Sequence, residues 1–459
     1  MKKFFFMSVF IWGMFTSVSY ASIKGDFDNN GQLDLKDCIS ILQSISGTIH
    51  NPSTDDEYVI FAWNDLGMHY VNATYNKMVI LPPYNTVLSQ AVKRGPKPVV
   101  STNNLSVNYS IVNNTYSYGK QNYGQFWDQV QTLFGVSLAQ NTGLNLVDPD
   151  IHNGLSGSML SKGDHFVVNG IPVTPVDDNL VWNAYQQAEI KLMSGSTVLA
   201  ETKATVPVSD EVNCGMCHRS EADPFDDILK RHDTIIDNQP RPVLCAKCHG
   251  SPVLGLSGPG SSGKYLSEAI HGKHASKGAG CYHCHPGIQT KFNRSTNHTD
   301  TYGDCITCHG DLDVIANSIA NNGRMPWVDE PQCKTCHSGI ALVDTGNTLF
   351  KNAKGHGGLY CSACHGSPHA MVPSAEDKDN YQAKQYQNGK AKTMGSCGVC
   401  HENSRGEENK IAEFDQVHGG ENPMVKSACN VCHTSVSASD KTKWPHYYQW
   451  KNNGSSRKK

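Results

Sequence analysis

Short runs of alternating apolar and polar residues fill residues 58–209. Runs such as 58–63 and 165–168 are rich in β-branched and aromatic residues, and clusters of Gly, Pro and Asn separate them. Alternation of this kind places one face of a strand in a core and the other in solvent. Residues 188–192 and 197–201 flank Ser-Gly-Ser and predict a hairpin. The pattern predicts an antiparallel, all-β, sandwich-like domain that acts either as a binding or assembly surface or as a structural spacer.

The alternation ends near residue 210, where the composition changes. Residues 210–459 are rich in Gly, His and paired Cys, and apolar residues no longer recur with a strand or helix period. Too few apolar side chains remain there for an ordinary hydrophobic core. We therefore expect a loop-rich domain with short helices and little sheet, built around a core that side chains alone do not supply.

An apolar run lies at the start of the chain. Two lysines precede the apolar residues 4–18, and the small-residue sequence Ser-Tyr-Ala ends at residue 21. This order predicts a secretory signal peptide over residues 1–21. A membrane anchor is the alternative, and it fits less well because the run is short and polar sequence follows at once. We expect an exported protein, periplasmic, extracellular or at the cell surface, with no membrane span after signal cleavage.

Residues 22–51 combine an acidic loop with an amphipathic helix pattern. Oxygen-bearing side chains stand at loop positions 1, 3, 5, 9 and 12, a glycine stands at position 6, and position 7 can offer its carbonyl. These are the ligand positions of an EF-hand-like calcium loop, and a solvated Asp/Asn-rich turn is the alternative. The candidate calcium ligands are Asp26, Asp28, Asn30, Gln32, Asp34 and Asp37.

The helix pattern continues this loop to Gly47, and Cys38 lies on its apolar face, where we expect a buried core residue rather than a reactive thiol. Loop and helix together resemble a single dockerin repeat. A dockerin module has two such repeats and binds a partner called cohesin, whereas this chain has one repeat. The resemblance implies one bound Ca²⁺.

The calcium loop gives a testable prediction. Asp26→Ala is expected to abolish a calcium-dependent rise in thermal stability, because the substitution removes the ligand at the first loop position. Thermal unfolding with and without added Ca²⁺ measures this. Asp56→Ala, in the linker over residues 52–57, is the control and should keep the response. An unchanged calcium response in Asp26→Ala would contradict the site.

The pentapeptide Cys-x-x-Cys-His occurs eight times in residues 214–433. We number the copies motif 1 to motif 8 along the chain. Their cysteines are Cys214 and Cys217, Cys245 and Cys248, Cys281 and Cys284, Cys305 and Cys308, Cys333 and Cys336, Cys361 and Cys364, Cys397 and Cys400, and Cys429 and Cys432. Their histidines are His218, His249, His285, His309, His337, His365, His401 and His433. Sixteen of the 17 cysteines lie in these motifs, so there is no disulfide framework.

This pentapeptide is the attachment pattern of c-type haem. Two thiols at this spacing can bond to the two vinyl groups of one porphyrin, and the following imidazole can bind its iron. Eight motifs therefore predict eight covalently bound haems with the motif histidines as proximal ligands. The porphyrins then supply the core of residues 210–459, and this half is not expected to fold without haem.

The sixth ligand of each iron decides whether a haem conducts or catalyses. A second histidine closes the iron to substrates, whereas an open position lets it bind a small molecule. His283 lies between the two cysteines of motif 3, where steric constraint makes it an unsuitable ligand. The other non-motif histidines beyond residue 210 equal the motifs in number, which favours bis-histidine ligation; each could instead be a surface or hydrogen-bonding residue. These distal candidates are His232, His271, His274, His298, His356, His369, His418 and His446.

The motif-rich stretch resembles the multihaem c-type cytochromes of extracellular and periplasmic electron transfer. The resemblance implies closely packed haems and, in some members, assembly into filaments. The alternative is an octahaem oxidoreductase, such as a hydroxylamine oxidoreductase or a tetrathionate or nitrite reductase. In such an enzyme, one haem with an open coordination position would act on a small nitrogen or sulfur oxyanion. Several of these enzymes alter the motif of the active haem. All eight motifs here are intact, which favours an electron-transfer protein over an enzyme.

Charge and the remaining histidines bear on partners. A formal charge of -3 gives no electrostatic case for nucleic acid. We expect redox protein partners or extracellular electron acceptors, and self-assembly is a further possibility. An axial histidine donated across subunits would indicate self-assembly, and the spare histidines for it are His50, His69, His152 and His165.

One short segment, residues 63–69, resembles a segment of the N-terminal regions of exported multihaem proteins. It reads Trp-Asn-Asp-Leu-Gly-Met-His. Asp65 and His69 could form a metal or proton-transfer pair, and Met68 or His69 could supply a haem ligand. Hydrogen-bonded turn residues are the alternative.

Overall fold

The computed structural model describes residues 57–401 except for 96–97, 233–234, 288, 299–304, 337–348, 388 and 396. The signal peptide, the dockerin-like repeat with its calcium ligands and Cys38, and motif 8 lie outside the described residues. The same holds for His50, His337, His418 and His446. For His356 and Cys397 the structure describes the backbone.

Residues 58–209 form two main antiparallel sheets and one helix. The strands are β1 (Tyr58–Asn64), β2 (His69–Tyr70), β3 (Met78–Val79), β4 (Val87–Lys93), β5 (Val99–Val100), β6 (Ser106–Ile111), β7 (Ser156–Ser158), β8 (Leu160–Ser161), β9 (Phe166–Val168), β10 (Gln187–Ser194), β11 (Thr197–Thr205) and β12 (Val208–Ser209). The first sheet has the order β1-β4-β9-β8, with β5 also paired to β4, and the second has the order β11-β10-β6-β7.

The predicted hairpin is present as β10 and β11. Its register pairs Ser194 with Thr197, and Gly195 occupies the turn with φ +58°. Glycine adopts this left-handed conformation without the steric cost that a side chain would add.

The two sheets share one apolar core. Ile60 and Val87 of the first sheet belong to the same buried cluster as Tyr109 and Ile190 of the second. Helix α1 (Gln125–Phe134) adds Phe126, Trp127, Val130 and Leu133 to that cluster. The alternation pattern did not predict this helix, because strand-like alternation on either side of it dominates the region. Its apolar residues nevertheless recur at helical spacing.

The opposite face of the first sheet is covered by the motif-bearing part of the chain. Phe61 and Trp63 of β1 pack with Tyr360, Ala363 and Tyr386. Strand β1 is therefore buried on both faces, which explains why it reads as a nearly continuous apolar run rather than a clean alternation.

In the described part of residues 210–401, the chain forms short helices and loops. The α-helices are α2 (Pro224–Arg231), α3 (Leu266–His274), α4 (Ile306–His309), α5 (Leu312–Asn322), α6 (Cys333–Cys336), α7 (Cys361–His365) and α8 (Tyr381–Tyr386). The 3-10 helices are Cys214–Met216, Ile236–Asn238, Cys245–Lys247, Pro252–Leu254, Ala275–Lys277, Cys281–His283, Phe350–Asn352, His356–Gly358, Asp377–Asn380 and Cys397–Val399. One strand, β13 (Val243–Leu244), pairs in parallel with β3, as β12 does with β2. No helix in the described part of the chain is long and apolar enough to cross a membrane.

Candidate haem sites

Every described motif lies in a short helical turn. In motifs 1 to 4 the backbone N–H of the histidine donates to the carbonyl of the first cysteine, at 2.8–3.0 Å. This single turn brings two thiols and one imidazole together within five residues of chain. It is the local arrangement that the attachment pattern requires.

Four motif histidines each face a second histidine from elsewhere in the chain. The ring centroids are 6.2 Å apart for His218 and His274, 6.1 Å for His249 and His232, 6.2 Å for His285 and His271, and 6.1 Å for His309 and His369. All four partners are among the distal candidates from the sequence.

These separations match two imidazoles on opposite sides of one metal ion. A metal–imidazole nitrogen bond is about 2.0–2.1 Å long, and that nitrogen lies roughly 1.1 Å from the centre of the five-membered ring. Two axial imidazoles on one iron therefore have centroids roughly 6.3 Å apart. A direct hydrogen bond between two imidazoles, or stacking of their faces, has no reason to repeat this one spacing in four separate pairs. The residues present thus fit a haem iron between each pair.

Backbone carbonyls orient the rings of the distal histidines. The Nδ1–H of His271 donates to the carbonyl of Ser267 at 2.7 Å, and that of His274 donates to Ile270 at 2.7 Å. The Nδ1–H of His369 donates to Leu66 at 2.9 Å. A histidine whose Nδ1–H is held in this way has Nε2 available as a ligand, and such partners fix the ring orientation.

The surroundings of these rings favour the form that binds metal. Desolvation by neighbouring protein atoms lowers the pKa of His285 to about 4 and that of His309 to about 4. It also lowers the pKa of His271 and of His369. Neutral imidazole is the ligating form, so the rings need not lose a proton to bind iron at neutral pH.

Motifs 1, 3 and 4 lie next to one another, although motif 2 comes between the first two in sequence. The backbone N–H of Asn213, beside motif 1, donates to the carbonyl of His283 in motif 3 at 3.1 Å. The side chain of Cys281 in motif 3 lies within hydrogen-bonding reach of the side chain of Cys305 in motif 4. Helix α3 carries the histidines that face motif 1 and motif 3.

The other candidate histidines have different surroundings. The ring of His298 lies 3.2 Å from the Ser295 hydroxyl, and His401 of motif 7 forms a β-bridge with Gly95. His283 accepts a hydrogen bond at Nδ1 from the Gly280 N–H at 2.9 Å. Of the spare histidines, His165 contacts Asp164 at 2.8 Å and His152 is exposed.

The pair singled out in residues 63–69 is a hydrogen-bonded pair. Nε2 of His69 lies 2.9 Å from Oδ1 of Asp65, and the His69 ring packs beside Tyr84. Within the described residues, no group of three or more His, Cys, Asp or Glu side chains could hold a metal ion by itself. Met68 is fully buried in the sheet region.

The structure adds supporting residues that the sequence analysis missed. The buried carboxylate of Asp227 lies 3.5 Å from Nδ1 of His218 and pairs with Arg231 at 2.6 Å. Arg294 and Leu66 both bond to His369 through backbone atoms. The only sequence signal for Asp227 is its spacing of four residues from Arg231 on a helix, which indicates an ion pair and nothing about haem.

Residues 273–366 match the family model for cytochrome c3. The match supports a multihaem c-type cytochrome. The matched residues contain motifs 3 to 6 and the distal candidates His274, His298 and His356. The similarity implies covalently bound haem c and multihaem electron transfer. A comparison with curated proteins found no match to this chain.

Proposed function

We propose that this chain is an exported octahaem cytochrome c that relays electrons through bis-histidine haems in periplasmic or extracellular electron transfer. The observation that carries the proposal is the set of four opposed imidazole pairs at 6.1–6.2 Å. When bound, haem supplies a one-electron redox centre whose reactivity depends on its axial ligands.

The chain's own residues would hold both axial positions. His218, His249, His285 and His309 approach from the motifs, and the distal rings approach from α3, from residue 232 and from residue 369. With histidines on both sides, substrate has no open coordination position. The four irons are then limited to passing electrons, and we extend the same assignment to the remaining four motifs.

The contacts between motifs support transfer from one haem to the next. The contacts between motif 1 and motif 3 and between motif 3 and motif 4 support attachment points that lie side by side. Helix α3 supports this order, because one rigid helix orients ligands for motifs 1 and 3. We propose the spatial order 1, 3, 4 for this part of the relay.

Partners and location are also part of the proposal. The cytochrome c3 similarity and the signal-like first residues support a periplasmic or extracellular site. Redox proteins or extracellular acceptors would then be the partners, with the calcium loop and the sheet region available for docking or self-assembly.

The ligation state gives the decisive experiment. Electron paramagnetic resonance of the oxidised, haem-loaded protein is expected to show only low-spin, six-coordinate signals, because histidine closes every iron. Added nitrite or cyanide should leave the spectrum unchanged. The haem content per chain, from the absorbance of the pyridine adduct, should equal eight. A high-spin signal that nitrite alters would instead favour the octahaem oxidoreductase.

A further inference from the structure

A turn in the sheet region touches the distal histidine of motif 4. We call residues 64–67, at the end of β1, the Gly67 turn. The Leu66 carbonyl accepts the Nδ1–H of His369 at 2.9 Å. Gly67 has φ +94°, and a Cβ on it would lie 1.8 Å from the carbonyl oxygen of Pro368. A side chain at this position would therefore push against the backbone that carries His369.

The Gly67 turn is itself rigidly held. Oδ1 of the buried Asn64 accepts the N–H of Leu66 at 3.0 Å and that of Gly67 at 2.5 Å. Its amide group donates to the carbonyl of Thr86 at 3.0 Å. Because the sheet fixes Asn64, the Leu66 carbonyl has a fixed direction.

Arg294 joins the turn to the other side of His369. Its backbone N–H donates to the carbonyl of His369 at 2.6 Å, and its Nη1 donates to the carbonyl of Gly67 at 2.7 Å. Its guanidinium also forms two bonds with Asp379, at 2.7 and 3.1 Å. Arg294 and Asp379 are both almost fully buried, so this ion pair is shielded from solvent and both groups are hydrogen bonded.

The backbone of His369 needs this support. Its φ is +60°, in the left-handed region that residues other than glycine rarely adopt. Such a conformation persists only where surrounding contacts determine it, and it concentrates at functional sites. Here the contacts are the bonds from Leu66 and Arg294 and the close approach of Gly67.

We propose that the Gly67 turn and Arg294 are positioning elements that hold His369 on the iron of motif 4. The inference rests on the proposed bis-histidine function and deepens it: the sheet region determines whether this one haem stays closed. It also gives residues 63–69 a role that differs from the metal-pair and haem-ligand roles suggested by the sequence.

The test is Gly67→Ala in the full-length, haem-loaded protein. The added Cβ must displace residues 368–369, so we expect one haem of the eight to become high-spin in the oxidised protein and to bind carbon monoxide when reduced. The control is Gly135→Ala, which has a similar φ of +73° but open space around the added Cβ. It should keep every haem low-spin.

A folded Gly67→Ala protein whose haems all stay low-spin and bind no carbon monoxide overturns the proposal. If Gly67→Ala fails to load haem or to fold, Arg294→Lys decides. It keeps the charge facing Asp379 but loses the bond to the Gly67 carbonyl, and a high-spin fraction at one haem is expected. An all-low-spin Arg294→Lys protein then overturns the proposal. A high-spin haem in the unsubstituted protein would instead count against the proposed function, so the two failures are distinguishable.

Discussion

A chain made without haem attachment is expected to keep its two-sheet core and to lose its structure across residues 266–336. The sheets bury a large shared cluster of apolar side chains. Between residues 255 and 359, the buried apolar side chains in the described part of the chain are Leu266, Ala316, Ile319 and two prolines, Pro286 and Pro326. Burying one leucine or isoleucine side chain contributes about 1.5–3 kcal/mol, whereas ordering the backbone of each residue costs about 1–2 kcal/mol. These few side chains therefore cannot order this segment.

Hydrogen–deuterium exchange on a chain with all motif cysteines replaced by alanine measures the effect. Slow exchange should persist in α1, β10 and β11, and exchange across α3 and α5 should approach that of an unfolded chain. The haem-loaded parent is the reference and should protect both regions. Protection of α3 and α5 in the alanine variant would show that side chains suffice as the core.

The local chemistry of the motifs was readable from the sequence because it depends on five consecutive residues. The pairing of the histidines was not, because it depends on tertiary contacts. His271 and His274 both precede motif 3, yet only His271 faces it and His274 faces motif 1. His369 follows motif 6 but faces motif 4. Chain proximity therefore suggests the wrong motif for two of these three residues.

The contacts that hold His369 in place could not be predicted from the sequence either, because hydrogen bonds to backbone carbonyls and buried arginines have no characteristic sequence pattern. Gly67 was the one visible signal, because a glycine beside a buried strand often marks a close backbone approach. For strand β1, the apolar run correctly indicated burial but gave no sign that the motif-bearing residues cover its second face.

His271→Ala is expected to convert one haem from low-spin to high-spin in the oxidised protein and to let it bind carbon monoxide once reduced. The ring of His271 lies 6.2 Å from that of His285, nearly parallel to it, and its Nδ1 is bonded to Ser267. Helix α3 fixes the position of this ring. Removing the His271 imidazole therefore opens one axial position on the haem iron of motif 3. Absorbance and electron paramagnetic resonance measure the change, with haem content unaltered because the cysteines remain.

His283→Ala is the matched control, because it removes an imidazole from the same motif without touching the opposed pair. His283 bonds to the Gly280 N–H and faces no motif histidine at the ligand spacing in the described part of the chain. All haems should stay low-spin in this variant.

The His274→Ala variant should open a different haem, that of motif 1. The double variant His271→Ala/His274→Ala should therefore have two high-spin haems. If every haem of the His271→Ala protein stays low-spin, His271 is not the sixth ligand of the motif 3 haem, and the pairing of His271 with His285 is contradicted.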